Sequence, residues 1–103
     1  MASKQWSTAL DLINSVLQQP VAESWIPYQK EAILVRAELY QKLNQPAEAI
    51  DDLGLVLGVD PSNNTALLAR ARLYRDRLQG QLAKDDFEHA CLLGSSEACE
   101  QLP

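Results

Sequence analysis

The side chains that could carry out catalysis are few, and their arrangement does not suit it. Asp51 and Asp52 form one pair of neighbouring carboxylates, Asp85 and Asp86 form another, and His89 is the single histidine. On a helix, adjacent side chains point about 100° apart, so neither aspartate pair places an acid and a base toward one substrate. The sequence contains no glycine-rich phosphate loop and no nucleophile motif. We therefore expect a protein that is not an enzyme and that has no cofactor.

Four of the nine basic residues lie within eight positions, at Arg70, Arg72, Arg75 and Arg77. Such a cluster suggests a site for an acidic ligand, but a helix distributes these positions over several faces. The whole chain has a formal net charge of -5, whereas binding to nucleic acid depends on an excess of lysine and arginine. We therefore expect no nucleic-acid partner.

The composition indicates one helix-rich globular domain covering residues 1–103. The chain is 47% hydrophobic and has only 4 glycines, which is not the composition of a disordered segment. No apolar stretch approaches the roughly 18 residues of a membrane span. Because residues 1–4 lack the apolar core of a signal peptide, we expect a cytoplasmic location. If the chain is an excised fragment, an extracytoplasmic location stays open.

The sequence repeats itself at one constant shift, which carries position 32 onto position 66. The same register holds through two successive apolar segments, as expected for a helix-turn-helix unit that must stack on a neighbour to bury its apolar face. The superposed positions are Ala32 and Ala66, Leu34 and Leu68, Arg36 and Arg70, Ala37 and Ala71, Leu39 and Leu73, Tyr40 and Tyr74, Ala49 and Ala83, Asp51 and Asp85, Asp52 and Asp86, and Leu53 and Phe87.

This pattern resembles the tetratricopeptide repeat family, whose period of about 34 residues equals the shift. Each unit has a small residue followed three positions later by tyrosine, and a second helix with alanine followed four positions later by a large apolar residue. These residues are Ala37 and Tyr40, Ala71 and Tyr74, Ala49 and Leu53, and Ala83 and Phe87. The resemblance implies an all-α repeat solenoid, with about six antiparallel helices in a right-handed superhelix.

In this register, residues 4–22 form a half repeat, residues 30–63 and 64–97 form two whole repeats, and residues 96–102 form a capping helix. The predicted helices cover about 4–18, 25–43, 46–58, 63–78, 81–93 and 96–102. Ala9 of the half repeat precedes its equivalent, Ala49, by six positions more than the period, and this surplus falls around Pro20 to Pro27. We expect Gly94 to end the fifth helix in a left-handed conformation, and Ser95 or Ser96 to cap the last one.

Arg36 and Arg70 occupy the same repeat position, and each precedes an aspartate of the paired helix by the same interval. Because both members recur, we expect ion pairs from Arg36 to Asp52 and from Arg70 to Asp86. These arginines are then part of the scaffold and not of a binding site.

In the tetratricopeptide family, first helices form a concave groove that usually receives peptides. The resemblance places ten residues there: Glu31, Leu34, Glu38, Gln41, Lys42, Thr65, Leu68, Arg72, Arg75 and Asp76. Glu38 with Arg72, and Lys42 with Asp76, could satisfy each other's charge, whereas Arg75 lies opposite a neutral residue. With Leu34 and Leu68 at its floor, the groove suits a short amphipathic peptide or helix. The predicted partner-binding residues are Leu34, Glu38, Gln41, Lys42, Leu68, Arg72, Arg75 and Asp76.

The final unit, with Cys91 and Cys99, also resembles the cysteine-rich solenoid relatives of this family, in which such a pair bridges successive helices. A disulfide here would contribute about 2–3 kcal/mol in an oxidising compartment. Because no export signal is visible, we favour two reduced, buried thiols instead. These two residues and His89 supply at most three ligands, so we expect no zinc site.

Three functions fit this architecture. The first is a protein-interaction module that binds a peptide or helix of a partner in its groove. The second is a structural end-cap of a longer solenoid, or a unit that forms a homo-oligomer through the unpartnered edge of the first helix. That edge would expose Trp6, Leu10 or Leu17. The third is a regulatory domain of an enzyme encoded elsewhere in a longer chain.

Overall fold

The computed structural model describes residues 3–17 and 26–102, and within these ranges the protein is all-helical and compact. Its helices are α1 (Ser3–Val16), α2 (Ile26–Lys42), α3 (Pro46–Val59), α4 (Asn64–Asp76), α5 (Gly80–Leu92) and α6 (Ser96–Glu100). The six predicted helices are confirmed, each with its ends within two residues of the predicted ones. The predicted surplus around Pro20 to Pro27 falls mostly in residues 18–25, outside the described part of the chain. The main contacts join helices that are neighbours in the sequence, most extensively α2 with α3 and α4 with α5.

Side-chain caps and a proline define the beginnings of three helices. The side-chain oxygen of Asn63 accepts a hydrogen bond from the Ala66 amide at 3.0 Å, at the start of α4. Ser95 does the same for the Ala98 amide at 3.2 Å, so of the two serines proposed as the cap of α6 it is Ser95 that acts. Helix α3 begins with Pro46, which has no amide hydrogen to leave unpaired.

Helices α2, α4 and α5 end in the same backbone motif. Asn44, Leu78 and Gly94 have positive φ angles of 58°, 59° and 100°. The amide after each of them bonds back to the carbonyl five residues earlier, for example from Gln45 to Tyr40 at 2.8 Å. This is the Schellman arrangement. The prediction that Gly94 ends its helix in this way is confirmed, and the first two motifs are separated by the shift that relates the two repeats.

Two clusters of buried side chains share the core, and α4 contributes to both. The first joins the end of α1 to α2, α3 and α4, through Leu17, Ile33, Ala37, Ala49, Leu53, Val56, Ala66 and Leu73. The second joins α4, α5 and α6, through Leu67, Ala71, Ala83, Phe87, Ala90 and Ala98. Of the alanines that recur at the repeat shift, all are buried except Ala32, which is partly buried.

The apolar residues that α1 exposes to solvent are not the predicted ones. Leu17 is fully buried in the first cluster, and Trp6 and Leu10 are partly covered. The exposed apolar residues are instead Leu12 and Val16, each 66% accessible. Leu17 lies just beyond the last turn of α1, where the apolar spacing carries it inward against α2.

The structure places a disulfide between Cys91 and Cys99, which is the alternative to the two reduced, buried thiols favoured from the sequence. Cys91 lies in the last turn of α5 and Cys99 in α6, with their Cα atoms 4.7 Å apart. The absence of an export signal carries no information about this geometry. The bond fixes the short α6 to the helix before it.

Candidate functional site

A groove of about 390 Å³ lies between α2 and α4. Three of the predicted binding residues line it: Leu34, Glu38 and Gln41. Glu31 and Thr65, also assigned to the concave face, lie in the same groove. Positions 31, 34, 38 and 41 follow one another at three- and four-residue steps, so they share one face of α2.

The floor of the groove is apolar. Leu53 reaches it from α3, and Ala69 contributes from α4. Val35 lies beside them and is 46% exposed. It was not predicted as a groove residue, because the sequence does not distinguish an exposed valine on a helix from a core valine. Because Leu34 and Ala69 also pack against the first core cluster, the floor is a continuation of the core surface and is held by buried neighbours.

Glu31 and Glu38 are the charged residues of the groove, and both are exposed. Among the described residues, neither carboxylate has an ion-pair or hydrogen-bond partner. The groove therefore combines an apolar floor with uncompensated negative charge.

The arginines of α4 do not lie in this groove. Arg72 forms an ion pair with Glu97 of α6, and not with Glu38 as the repeat register suggested. Arg75 donates a hydrogen bond to Gln101 at 2.8 Å and lies over the ring of Phe87, 5.7 Å from its centre. The repeat register places Arg75 opposite the neutral Gln41, and its observed contacts are with Gln101 and Phe87 instead. The polar groups that engage both arginines belong to α6 and the residue after it, and not to the two first helices.

The remaining predicted binding residues also lie elsewhere. The ammonium group of Lys42 lies 5.5 Å from the centre of the Trp6 ring on α1, and among the described residues no ion pair joins it to Asp76. Asp76 lines a separate hollow with Gln41 and Arg77. Leu68 packs against the second core cluster instead of forming the groove floor.

The two predicted scaffold ion pairs are present. Arg36 donates to both carboxylate oxygens of Asp52, at 2.8 and 2.6 Å, and Arg70 donates in the same way to Asp86, at 2.7 and 2.8 Å. Arg36 also donates to Asn14 at 3.2 Å, which connects α2 to α1. These contacts hold the groove walls in place without using a groove residue.

The hydrogen bonds to their aspartates raise the pKa of each arginine guanidinium above its ordinary value. For Asp52, burial has the largest influence and raises the carboxyl pKa above its ordinary value, against the opposing effect of Arg36. The cost of burying this carboxylate is therefore only partly offset by its partner. Such a pair specifies geometry more than it adds stability, but removing one member leaves a buried charge alone.

Residues 3–17 and 26–102 contain no group of three His, Cys, Asp or Glu side chains placed to hold a metal ion. Within the same ranges, no helix is long and apolar enough to cross a membrane. Comparisons of the chain with protein-family models, with curated proteins and with solved structures find no match.

Proposed function

We propose that the protein is an interaction module that binds a peptide segment of another protein in the groove between α2 and α4. The observation that carries this proposal is the groove itself. Five residues assigned to a binding face from the sequence line one concavity, over a floor fixed by the core. Its volume of about 390 Å³ falls within the usual range of ligand sites.

The proposal treats the protein as a repeat solenoid of the tetratricopeptide type. It is supported by three features that recur at the repeat shift: the ion pairs, the Schellman motifs and the buried alanines. In such an arrangement the first helices of successive units line one face, and binding, not catalysis, is its use. Asp52 and Asp86 are engaged by arginines, which leaves the aspartate pairs unsuited to acid–base chemistry.

The experiment starts with peptides selected from a random twelve-residue display library on the immobilised chain. Val35→Ala removes apolar groove surface, worth about 1 kcal/mol, and should weaken binding of the selected peptides about fivefold. Val59→Ala is the matched control, because Val59 is the same residue with similar exposure, 38%, and does not line the groove. Equal affinities for the two variants and the parent would contradict the proposal.

Self-association is the second candidate, and it is favoured by one observation. Leu12 and Val16 lie one turn apart on α1 and are both two-thirds exposed. Two such residues on one face form a small apolar strip that a second copy could cover. Sedimentation equilibrium of the parent and of Leu12→Ser/Val16→Ser tests this alternative. A parent dimer that becomes monomeric in the variant would favour it over peptide binding.

A further inference from the structure

We infer that the partner segment is basic and amphipathic, with lysine or arginine side chains that meet Glu31 and Glu38 and apolar side chains that meet the floor between them. This inference rests on the proposed function and specifies the chemistry of the ligand. It begins from the groove's walls, where the two glutamates are the charged residues and both are solvent-accessible.

The cations of the two helices that form the groove are all committed elsewhere. On α2, Lys30 pairs with Asp60 at 3.2 Å, Arg36 with Asp52, and Lys42 lies over Trp6. On α4, Arg70 pairs with Asp86, Arg72 with Glu97, and Arg75 bonds to Gln101. Every lysine and arginine of α2 and α4 thus has an intramolecular contact that does not involve Glu31 or Glu38.

The charge of the groove is therefore not neutralised by its own walls. Glu31 and Glu38 lie seven residues apart on one helix face, about 10 Å along the axis at 1.5 Å per residue. The chain's net charge of -5 adds a long-range attraction for a cationic partner and repels an acidic one. An acidic or purely apolar peptide would leave two carboxylates without compensation at the edge of the interface.

The positions of the ligand's basic residues follow from this geometry. Side chains of an extended segment alternate between its two faces, so two basic residues that both meet the glutamates stand two or four positions apart, about 7 or 13 Å. In a helix they stand seven positions apart, about 10 Å. Apolar side chains must fall between the two basic ones to reach Val35, Leu53 and Ala69. The spacing of lysine and arginine in selected peptides therefore reports the conformation of the bound segment.

The test uses the full chain and the random peptide library. We expect the enriched peptides to combine apolar residues with lysine or arginine and to lack aspartate and glutamate. Glu31→Gln/Glu38→Gln should weaken their binding about fivefold, the effect of two partly exposed ion pairs. Glu48→Gln/Glu88→Gln removes the same charge from exposed helix positions outside the groove and should leave affinity within twofold. Raising the salt concentration should weaken peptide binding by the parent and reduce the difference in affinity between the two double variants.

Two results separate this inference from the proposed function. If enriched peptides are neutral or acidic, lose affinity with Val35→Ala and ignore Glu31→Gln/Glu38→Gln, the charge inference fails while the groove remains the binding site. If enriched peptides are insensitive to both changes, or if the library yields no binder, the groove is not a peptide site and both proposals fail. Thermal unfolding of each variant confirms that affinity is compared between folded proteins.

Discussion

The helix pairs α2–α3 and α4–α5 have equivalent residues at their buried positions. They differ in the contacts that the surface residues of their first helices, α2 and α4, make with the rest of the molecule. Each pair has a bidentate arginine–aspartate contact, a buried alanine after that arginine and a left-handed turn. On the surface, however, α2 exposes Glu38 without a partner among the described residues, while its equivalent Arg72 is paired with Glu97. The two units keep in common what holds the helices together, and their first helices diverge where they can contact another molecule.

The neighbours of each pair explain a second difference. Arg36 is held by Asp52 and also by Asn14 of α1, and its side chain is 5% exposed. Arg70 has no equivalent of Asn14 within the described part of the chain, and its side chain is 24% exposed. The ion pair of Arg36 and Asp52 is therefore shielded from water, whereas that of Arg70 and Asp86 is partly solvated. Removing one member should therefore change the free energy of unfolding by different amounts in the two cases.

Removing the aspartate from each ion pair should have the largest effects on stability. Asp52→Ala should lower the free energy of unfolding by about 3–5 kcal/mol, because it leaves Arg36 buried without its partner. Asp86→Ala should cost less, about 2 kcal/mol, because Arg70 retains access to water. Urea denaturation measures both, with the exposed neighbours Asp51→Ala and Asp85→Ala as controls within about 0.5 kcal/mol. Equal losses at Asp52 and Asp86 would show that solvation does not distinguish the pairs.

The second prediction concerns the disulfide, which has no counterpart in α2–α3. Cys91→Ser/Cys99→Ser should lower stability by about 2–3 kcal/mol in the chain-entropy description of a short closed loop. Reductant should destabilise the parent by a similar amount and leave the double variant unchanged. Hydrogen exchange should locate the loosening in α5 and α6. Faster exchange of α2 and α3 amides at the same denaturant concentration would contradict this localisation.

The third prediction tests the equivalence of the two helix contacts. Ala37→Leu and Ala71→Leu should each destabilise by about 1–3 kcal/mol, because both alanines are fully buried and a leucine there overpacks the contact. Ala47→Leu, at an exposed position of α3, serves as the control. An unchanged melting temperature for both buried variants would count against the repeat register.

The smallest expected change in stability concerns the left-handed turns at Asn44 and Leu78. Leu78 has a φ of 59° and is 93% exposed, so it bears the strain of a left-handed leucine without gaining contacts. Leu78→Gly should therefore stabilise the protein by about 0.5–1 kcal/mol. Asn44→Gly should change stability by less, because asparagine tolerates this conformation. Thermal unfolding compares the pair, and a destabilised Leu78→Gly would indicate an unrecognised role for that side chain.

The helices and the scaffold contacts were predictable because they leave periodic traces. Arg36 and Arg70 each precede an aspartate of the paired helix at the same spacing, and the recurrence of both members predicts an ion pair from the sequence alone. Gly94 marked its turn because glycine favours positive φ. Asn44 and Leu78 adopt the same turn, but leucine gives no such signal, so the period itself was the available clue.

The α2 wall of the groove was predictable for the same reason, and the contacts of the α4 arginines were not. Leu34, Glu38 and Gln41 lie on one face of α2, and helical spacing is enough to group them. The contacts of Arg72 and Arg75 depended on α6 and the residue after it, which have no counterpart in the repeat. The docking of α6 is set by the disulfide and by tertiary contacts, which sequence spacing does not specify. The opposing charges on equivalent positions were therefore a poor guide to the actual pairs.

Amide chemical-shift mapping shows whether a peptide binds in the groove between α2 and α4. A library-selected peptide is titrated into the isotope-labelled protein. We expect the largest shifts at Leu34, Val35, Glu38, Thr65 and Ala69, with small shifts around Arg75 and Phe87. Shifts centred on Leu12 and Val16 of α1, or on Arg75 and Phe87, would show that the peptide binds elsewhere.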